Sequence, residues 1–270
     1  MGGRGSASKR TGYTRPMPKA EPAPAAEPER KAGPDLVDEP EIGEDPRYHY
    51  FYDKAVVGDG FNYEGDGHHQ EEWFKANSNL NEVLDAVDKD TKSAMWDWTG
   101  GHFMAGQQYD GWDRMSAGDK MRTQRYDDML DKSVLKKGVT VVRRTTPELL
   151  LGKGVTRASL ADLQALEGST ISSRTHLSTG AAAEGLTIGS LNKRQELKIH
   201  IPAGSKGAGM WIGDKRVNPG WVAKQHEFMM NRDIMLKVGK TRYDKKRDVY
   251  VTEVTYVGRT AHDYGKSGRL

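Results

Sequence analysis

The chain of 270 residues contains no cysteine. Disulfides therefore cannot brace it, and no thiol can act as nucleophile or metal ligand. Long apolar runs are missing as well. Nothing approaches the run of about 18 apolar residues that a membrane helix needs, and the N-terminus lacks the apolar stretch of a secretory signal. A dominant charge is also lacking, since 41 basic residues against 38 acidic ones leave a formal net charge of +3. That is too little to argue for a nucleic-acid partner, and it does not oppose an anionic ligand. These absences fit a soluble protein of a reducing cytosol with no membrane association. With 36% hydrophobic and 29% charged residues, the chain can bury a core.

The composition is uneven along the chain. Eight of the eleven prolines lie in residues 1–46 (Pro16, Pro18, Pro22, Pro24, Pro28, Pro34, Pro40 and Pro46). Hydrophobic periodicity is absent there, which reads as a disordered or polyproline-like arm. Its start is basic (Arg4, Lys9, Arg10, Arg15, Lys19), and residues 35–45 are mostly acidic. A solvated arm and a tether or packaging tail both account for it. Folded material, 47–270, begins where the chain turns aromatic at Tyr48. Leu80, Val83, Leu84 and Val87 predict an amphipathic helix that exposes Glu82, Asp85, Asp88 and Lys89 and runs on toward SAMWDWTGG. A second helix is expected across AGDKMRTQRYDDMLDKSV, which makes residues 73–135 a helical lobe. The period then changes over about 138–258. GVTVVRR reads as a strand, and TTPELLLGKG as a short helix capped by Thr146 and ended by Gly152. ASLADLQAL has leucines at helical spacing. ELKIHIPAG, DIMLKVG and DVYVTEVTYVG are strands, the last two joined by a polar hairpin turn in GKTRYDKKRD. Helices first and strands after give an α+β domain.

Three polar insertions interrupt the strand-rich half. Arg143 and Arg144 end the VTVV strand, where a guanidinium fork can grip phosphate; an edge charge that blocks aggregation accounts for the same pair. GSTISSRTHLSTG, residues 168–180, is by composition a Ser/Thr-rich loop, although its end could be a strand that turns Ser178 toward the same cleft. In WVAKQHEFMMNRD, Gln225 and Glu227 share one face of a strand, because residues two apart point the same way. A carboxylate flanked by apolar residues needs partners or a ligand to offset its desolvation. Other candidates are poorer. His68 and His69 in HHQEE diverge in either a strand or a helix, so a polar turn is expected there and no metal. GDGFNYEGDG lacks EF-hand spacing. Trp96, Trp98, Phe103, Tyr109 and Trp112 read mainly as core of the helical lobe.

Arginine, then Ser-Thr, then Gln-x-Glu, separated by roughly 35 and then 50 residues, resembles the mono-ADP-ribosyltransferases of the Arg/Ser-Thr-Ser/Glu-x-Glu class. LKIHIPAGSKGAGMWI and HEFMMNRDIMLKVG look like that family's strands before and through its catalytic region, and the likeness covers about residues 73–257. It implies an antiparallel β-sandwich core with an N-terminal helical lobe, preceded by the disordered arm. It implies that NAD is a substrate, that no metal is needed, and that ADP-ribose passes to a macromolecular acceptor as nicotinamide leaves.

By the same resemblance Arg143, rather than Arg144, holds the NAD diphosphate. Ser178 and Thr179 take the Ser-Thr-Ser position and contact NAD, with Ser178 orienting Glu227. Glu227 binds the nicotinamide ribose and stabilises its cation. Gln225 meets the acceptor, together with Trp221 in a loop over 214–224. Two positions depart from the pattern, His176 in place of an aromatic residue and Gly180 in place of the last serine. Gln225 in place of glutamate resembles the clostridial exoenzymes that modify Rho proteins. It makes arginine a poor acceptor, since a neutral amide pairs with an acceptor amide or a base edge; a protein acceptor is expected ahead of nucleic acid, with a base still open. NAD glycohydrolysis, and a virion-associated protein that keeps the fold without turnover, are the alternatives. MGGRGS and the Pro/Ala arm resemble openings of phage or prophage proteins near capsid genes. That implies a toxin-like host modification in the host cytoplasm, with packaging in the virion before delivery.

Overall fold

A computed structural model describes residues 45–51, 68–99, 111–152, 154–181, 195–214, 216–217 and 227–265. The expected arm lies outside these residues except for its last two, as do GDGFNYEGDG, Phe103, Tyr109, Trp221 and Gln225.

Helices dominate the first half. HHQEE opens helix α1 (His68–Asn77) instead of forming a turn. The leucine-valine pattern forms α2 (Leu80–Asp85), with Leu80, Val83 and Leu84 buried. It does not run on unbroken. Asp88 stops and restarts the chain, its carboxylate accepting from the backbone of Thr91 at 2.6 Å. This N-cap contact, which satisfies an amide with no helical partner, begins α3 (Lys89–Thr99). Trp96 on α3 is 46% exposed, so it is not core. Trp112 is buried, in a small cluster with Met115 and Tyr264. Helix α4 (Ala117–Leu130) starts at Ser116, whose hydroxyl accepts from the amide of Asp119. The next two helices are short. Pro147 precedes α5 (Glu148–Leu151) with helical φ and ψ, as a proline in the first turn does; no side chain caps the helix, and Gly152 ends it at φ 103°. In α6 (Leu160–Gln164) Ser159 and Asp162 form a reciprocal capping box.

Among the described residues nine strands share one sheet. They are β1 (Tyr48–His49), β2 (Gly138–Thr145), β3 (Thr170–Ser173), β4 (Leu177–Gly180), β5 (Gln195–Ile201), β6 (Gly209–Trp211), β7 (Glu227–Met230), β8 (Ile234–Asp244) and β9 (Val249–Arg259). Their order is β3-β8-β9-β5-β2-β4-β7-β6, with β1 on the start of β2. The pairs β1–β2 and β5–β9 are parallel; the other pairs are antiparallel. Alternation works as read: Leu197, Ile199 and Ile201 are fully buried, as are Ile234 and Leu236. Two strands are longer or more numerous than composition suggested. GKTRYD belongs to β8, so the hairpin turn is confined to the residues between Asp244 and Val249. The Ser/Thr-rich stretch is two strands, β3 and β4, with β3 recruited by pairing to β8. Neighbouring strands satisfied backbone groups that side-chain chemistry alone assigned to a loop.

The helical lobe is fixed to the sheet by aromatic packing. The ring of Phe74 on α1 stacks on Trp211 of β6 at 5.3 Å and lies 5.4 Å from Phe228 of β7. All three are at most 1% exposed. Burial on this scale stabilises by about 1.5–3 kcal/mol per large side chain.

Candidate active site

Strands β2, β4 and β7 lie side by side, and one row of residues crosses all three: Val142 pairs with Gly180, and Gly180 with Glu227. Arg143 follows Val142 directly. Ser178 is two residues before Gly180 and so shares its face with Glu227. The pairing brings Ser178 and Glu227 together, and Arg143 joins them through its guanidinium, which bonds the Ser178 carbonyl and acts on the charge of Glu227. Directly opposite Glu227 the strand carries no side chain, because position 180 is glycine.

Glu227 is 4% exposed. Burial lifts its carboxyl from 4.5 to about 7, although Ser178 and Arg143 both pull it down. The Ser178 hydroxyl is buried and pulls the carboxyl down as a nearby donor does, although no bond of full hydrogen-bond geometry is formed among the described residues. Arg143 donates from Nη1 to the carbonyl of Ser178 at 2.5 Å, while its Nε is buried with no partner among the described residues. Burial drops this guanidinium to about 10, against the pull of Glu227. It therefore keeps its charge at neutral pH and retains an unspent N–H. Arg144 is engaged elsewhere, 3.4 Å from the fully buried Glu196, which also takes a bidentate pair from Arg247 at 2.8 and 3.0 Å. Thr179 is fully buried and gives its hydroxyl to the carbonyl of Phe228 at 2.5 Å, tying β4 to β7.

Sequence reasoning missed Tyr126. It is wholly buried on α4, and its hydroxyl is raised well above the usual range by burial and then by the charge of Glu227. Nothing in MRTQRYDDMLDK singles it out, since its significance comes only from the docking of α4 against β4 and β7. Also missed was the partner of His176, which is buried with Nε2 3.0 Å from Asp127 Oδ1. Among the described residues no group of three His, Asp or Glu side chains is arranged to hold a metal ion, and no helix is long and apolar enough to cross a membrane.

The arrangement is a desolvated carboxylate beside a hydroxyl and an arginine with a free donor. Such a carboxylate is suited to meeting positive charge that develops on a bound molecule. A family model described as ADP-ribosyltransferase exoenzyme matches residues 107–258. No curated protein matches the chain. Among solved structures, C3stau2 from S. aureus with NAD is similar at a TM-score of 0.59 and 16% identity, covering 79% of this chain and 100% of that one. Plx2a, an ADP-ribosyltransferase toxin from Paenibacillus larvae, aligns at 0.56 and 16% identity over 74% of this chain and 100% of its own. The C3 exoenzyme of Clostridium limosum aligns at 0.55 and 13% identity, covering 73% of this chain and 98% of its own. At these identities the likeness establishes the fold: a mixed α+β architecture with a β-sheet core.

Proposed function

Because the chain belongs to the ADP-ribosyltransferase exoenzyme family, we propose that it transfers ADP-ribose from NAD to a macromolecular acceptor and releases nicotinamide. The observation that carries this reading is the burial of Glu227 beside Ser178 and Arg143 on adjacent strands. NAD suits these residues. Arg143 has a buried, unspent Nε–H and a charge that survives at neutral pH, which is what a diphosphate needs.

In the reaction, the bond between the nicotinamide nitrogen and C1′ of its ribose breaks, and the electron pair leaves with neutral nicotinamide. Positive charge spreads over C1′ and the ring oxygen. Glu227, ionised and already desolvated, stabilises that charge without solvent reorganisation. Ser178 steadies the carboxylate, and a nucleophilic atom of the acceptor bonds C1′ and gives up a proton. Gln225 and Trp221, outside the described residues, are the positions we assign to acceptor contact, Gln225 because a neutral amide can pair with an acceptor amide. We take the acceptor to be a protein.

The test is incubation with NAD labelled in its ADP-ribose, wild type beside Glu227→Ala, with a bacterial lysate. The expected result is label on a macromolecule that disappears in the variant while NAD binding persists, with turnover reduced at least a hundredfold. Nicotinamide release without label would reassign the protein as a glycohydrolase. Neither product would leave it a non-catalytic bearer of the fold.

A further inference from the structure

The pattern departure at His176 leads to a group outside the reacting residues. Asp127 on α4 is fully buried. Its carboxylate meets His176 Nε2 at 3.0 Å, Arg232 Nε at 3.1 and 3.0 Å, and the hydroxyl of Tyr264 at 2.9 Å. Arg232 Nη2 lies 2.9 Å away. His176 comes one residue before β4, which carries Ser178; Arg232 comes two residues after β7, which carries Glu227. One carboxylate therefore grips both strands at the same end of their ladder.

That ladder is short. It has four rungs, Leu177 with Met230 at the Asp127 end and Gly180 with Glu227 at the other, about 10 Å apart at some 3.4 Å per residue. A slip of one residue would turn Glu227 to the opposite face of the sheet. Hydrophobic packing alone resists such a slip weakly here, since all four residues of β7 are buried and each face carries apolar side chains, Met229 on the face of Glu227 and Phe228 and Met230 on the other. Directional bonds to particular residues supply what uniform burial cannot. An apolar trio of similar volume would hold a core as well as a buried ionic cluster does, so its value lies in specifying one geometry. Beside Asp127, Tyr126 lies against the His176 ring at 4.8 Å and feels the charge of Glu227.

We propose that Asp127 is a positioning residue for the transfer reaction, acting through His176 and Arg232 to hold the β4–β7 register that brings Ser178 beside Glu227. The proposal rests on the reading of Glu227 given above. Asp127 is ionised, because His176 and Arg232 outweigh its burial and keep it at about 2. Burial keeps His176 below its usual value, so the neutral ring donates its single proton from Nε2 to Asp127.

Three variants of the full chain test this: Asp127→Asn, His176→Phe and His176→Gln, each read by NAD-hydrolysis kcat and KM, NAD affinity and near-UV circular dichroism. His176→Phe keeps a ring against Tyr126 but removes the donor. We expect its kcat to fall about tenfold with NAD affinity within about twofold, the signature of misplacing a group that acts in the transition state. His176→Gln, which can still donate an N–H to Asp127, should stay within about threefold of wild type. Should Asp127→Asn fail to fold, the His176 pair still decides. An unchanged kcat in folded His176→Phe, a loss confined to KM, or equal losses in the two His176 variants would overturn the proposal. A wild-type protein that never cleaves NAD overturns the functional reading and this one with it; an active wild type with an indifferent His176→Phe overturns this one alone.

Discussion

Glu227→Gln is expected to make the protein more stable at pH 8, and by an amount the structure sets. The carboxyl titrates at 4.5 in the unfolded chain and at about 7 when folded, raised by burial against Ser178 and Arg143. Between these values the folded state holds a proton that the unfolded state has lost. Wild-type stability therefore falls as pH rises from 4.5 to 7 and levels off above. At 1.36 kcal/mol per pKa unit, the buried negative charge costs the fold roughly 3 kcal/mol above pH 7. Glutamine has the same shape and does not titrate, so it escapes that cost. Other shifted groups, Asp127 among them, change both proteins alike and cancel in the difference. Urea unfolding at pH 5 and at pH 8 should show the advantage of the variant growing by about 2–3 kcal/mol between the two. For a domain of this size that corresponds to a thermal midpoint higher by about 4–12 °C at the upper pH. Parallel stability curves for the two proteins, or an advantage that shrinks as pH rises, would show that Glu227 is solvated after all.

Catalysis should report the same group from the other side. Because the reaction needs the ionised carboxylate, kcat/KM for NAD cleavage should rise through an apparent pKa near 7 and then plateau; the cationic nicotinamide of bound NAD favours ionisation, so kcat should rise at lower pH. A kcat/KM profile flat from pH 5 to 8 contradicts the assignment. Gln225→Ala should leave NAD hydrolysis within about threefold and lose labelling of the acceptor, measured on the same lysate; equal loss of both counts against Gln225 as the acceptor contact. Gly209→Ala should destabilise by more than about 2 kcal/mol in urea titrations, since Gly209 sits at φ 148° and a Cβ there would meet the Met229 carbonyl at 2.3 Å. A change under 0.5 kcal/mol would mean that β6 and β7 can separate freely.

The fold was legible where side-chain pattern and backbone need agree. The leucines and isoleucines of β5 and β8 alternate because one face of each strand is buried, and alternation is visible in any order of reading. What stayed hidden was set by partners distant in sequence. Strand β3 has little apolar content, and it is a strand because β8 offers it hydrogen bonds. Helices α2 and α3 look like one periodic segment, but α2 closes in a tight turn at Ala86 and the Asp88 carboxylate on Thr91 starts a new helix. The site residues on β2, β4 and β7 could be nominated by spacing, but the row Val142, Gly180, Glu227 is a fact of pairing. Tyr126 and Asp127 gave no signal, because an aromatic and an acid on a polar helix look like any solvated face.

The residues around Glu227 make sense only as a set. Glycine at 180 places no hydroxyl opposite Glu227, and burial leaves the carboxyl nearer neutrality. Arg143 limits that rise by its charge, yet Arg143 is itself desolvated and weakened as a cation, so neither ion fully relieves the other. Two desolvated ions that do not fully relieve each other are costly to the fold. A dinucleotide that offers phosphates to the arginine and a cationic ring to the carboxylate supplies the missing partner of each. The burial that makes the resting site expensive is thus the same burial that makes its charges effective on a developing ribosyl cation.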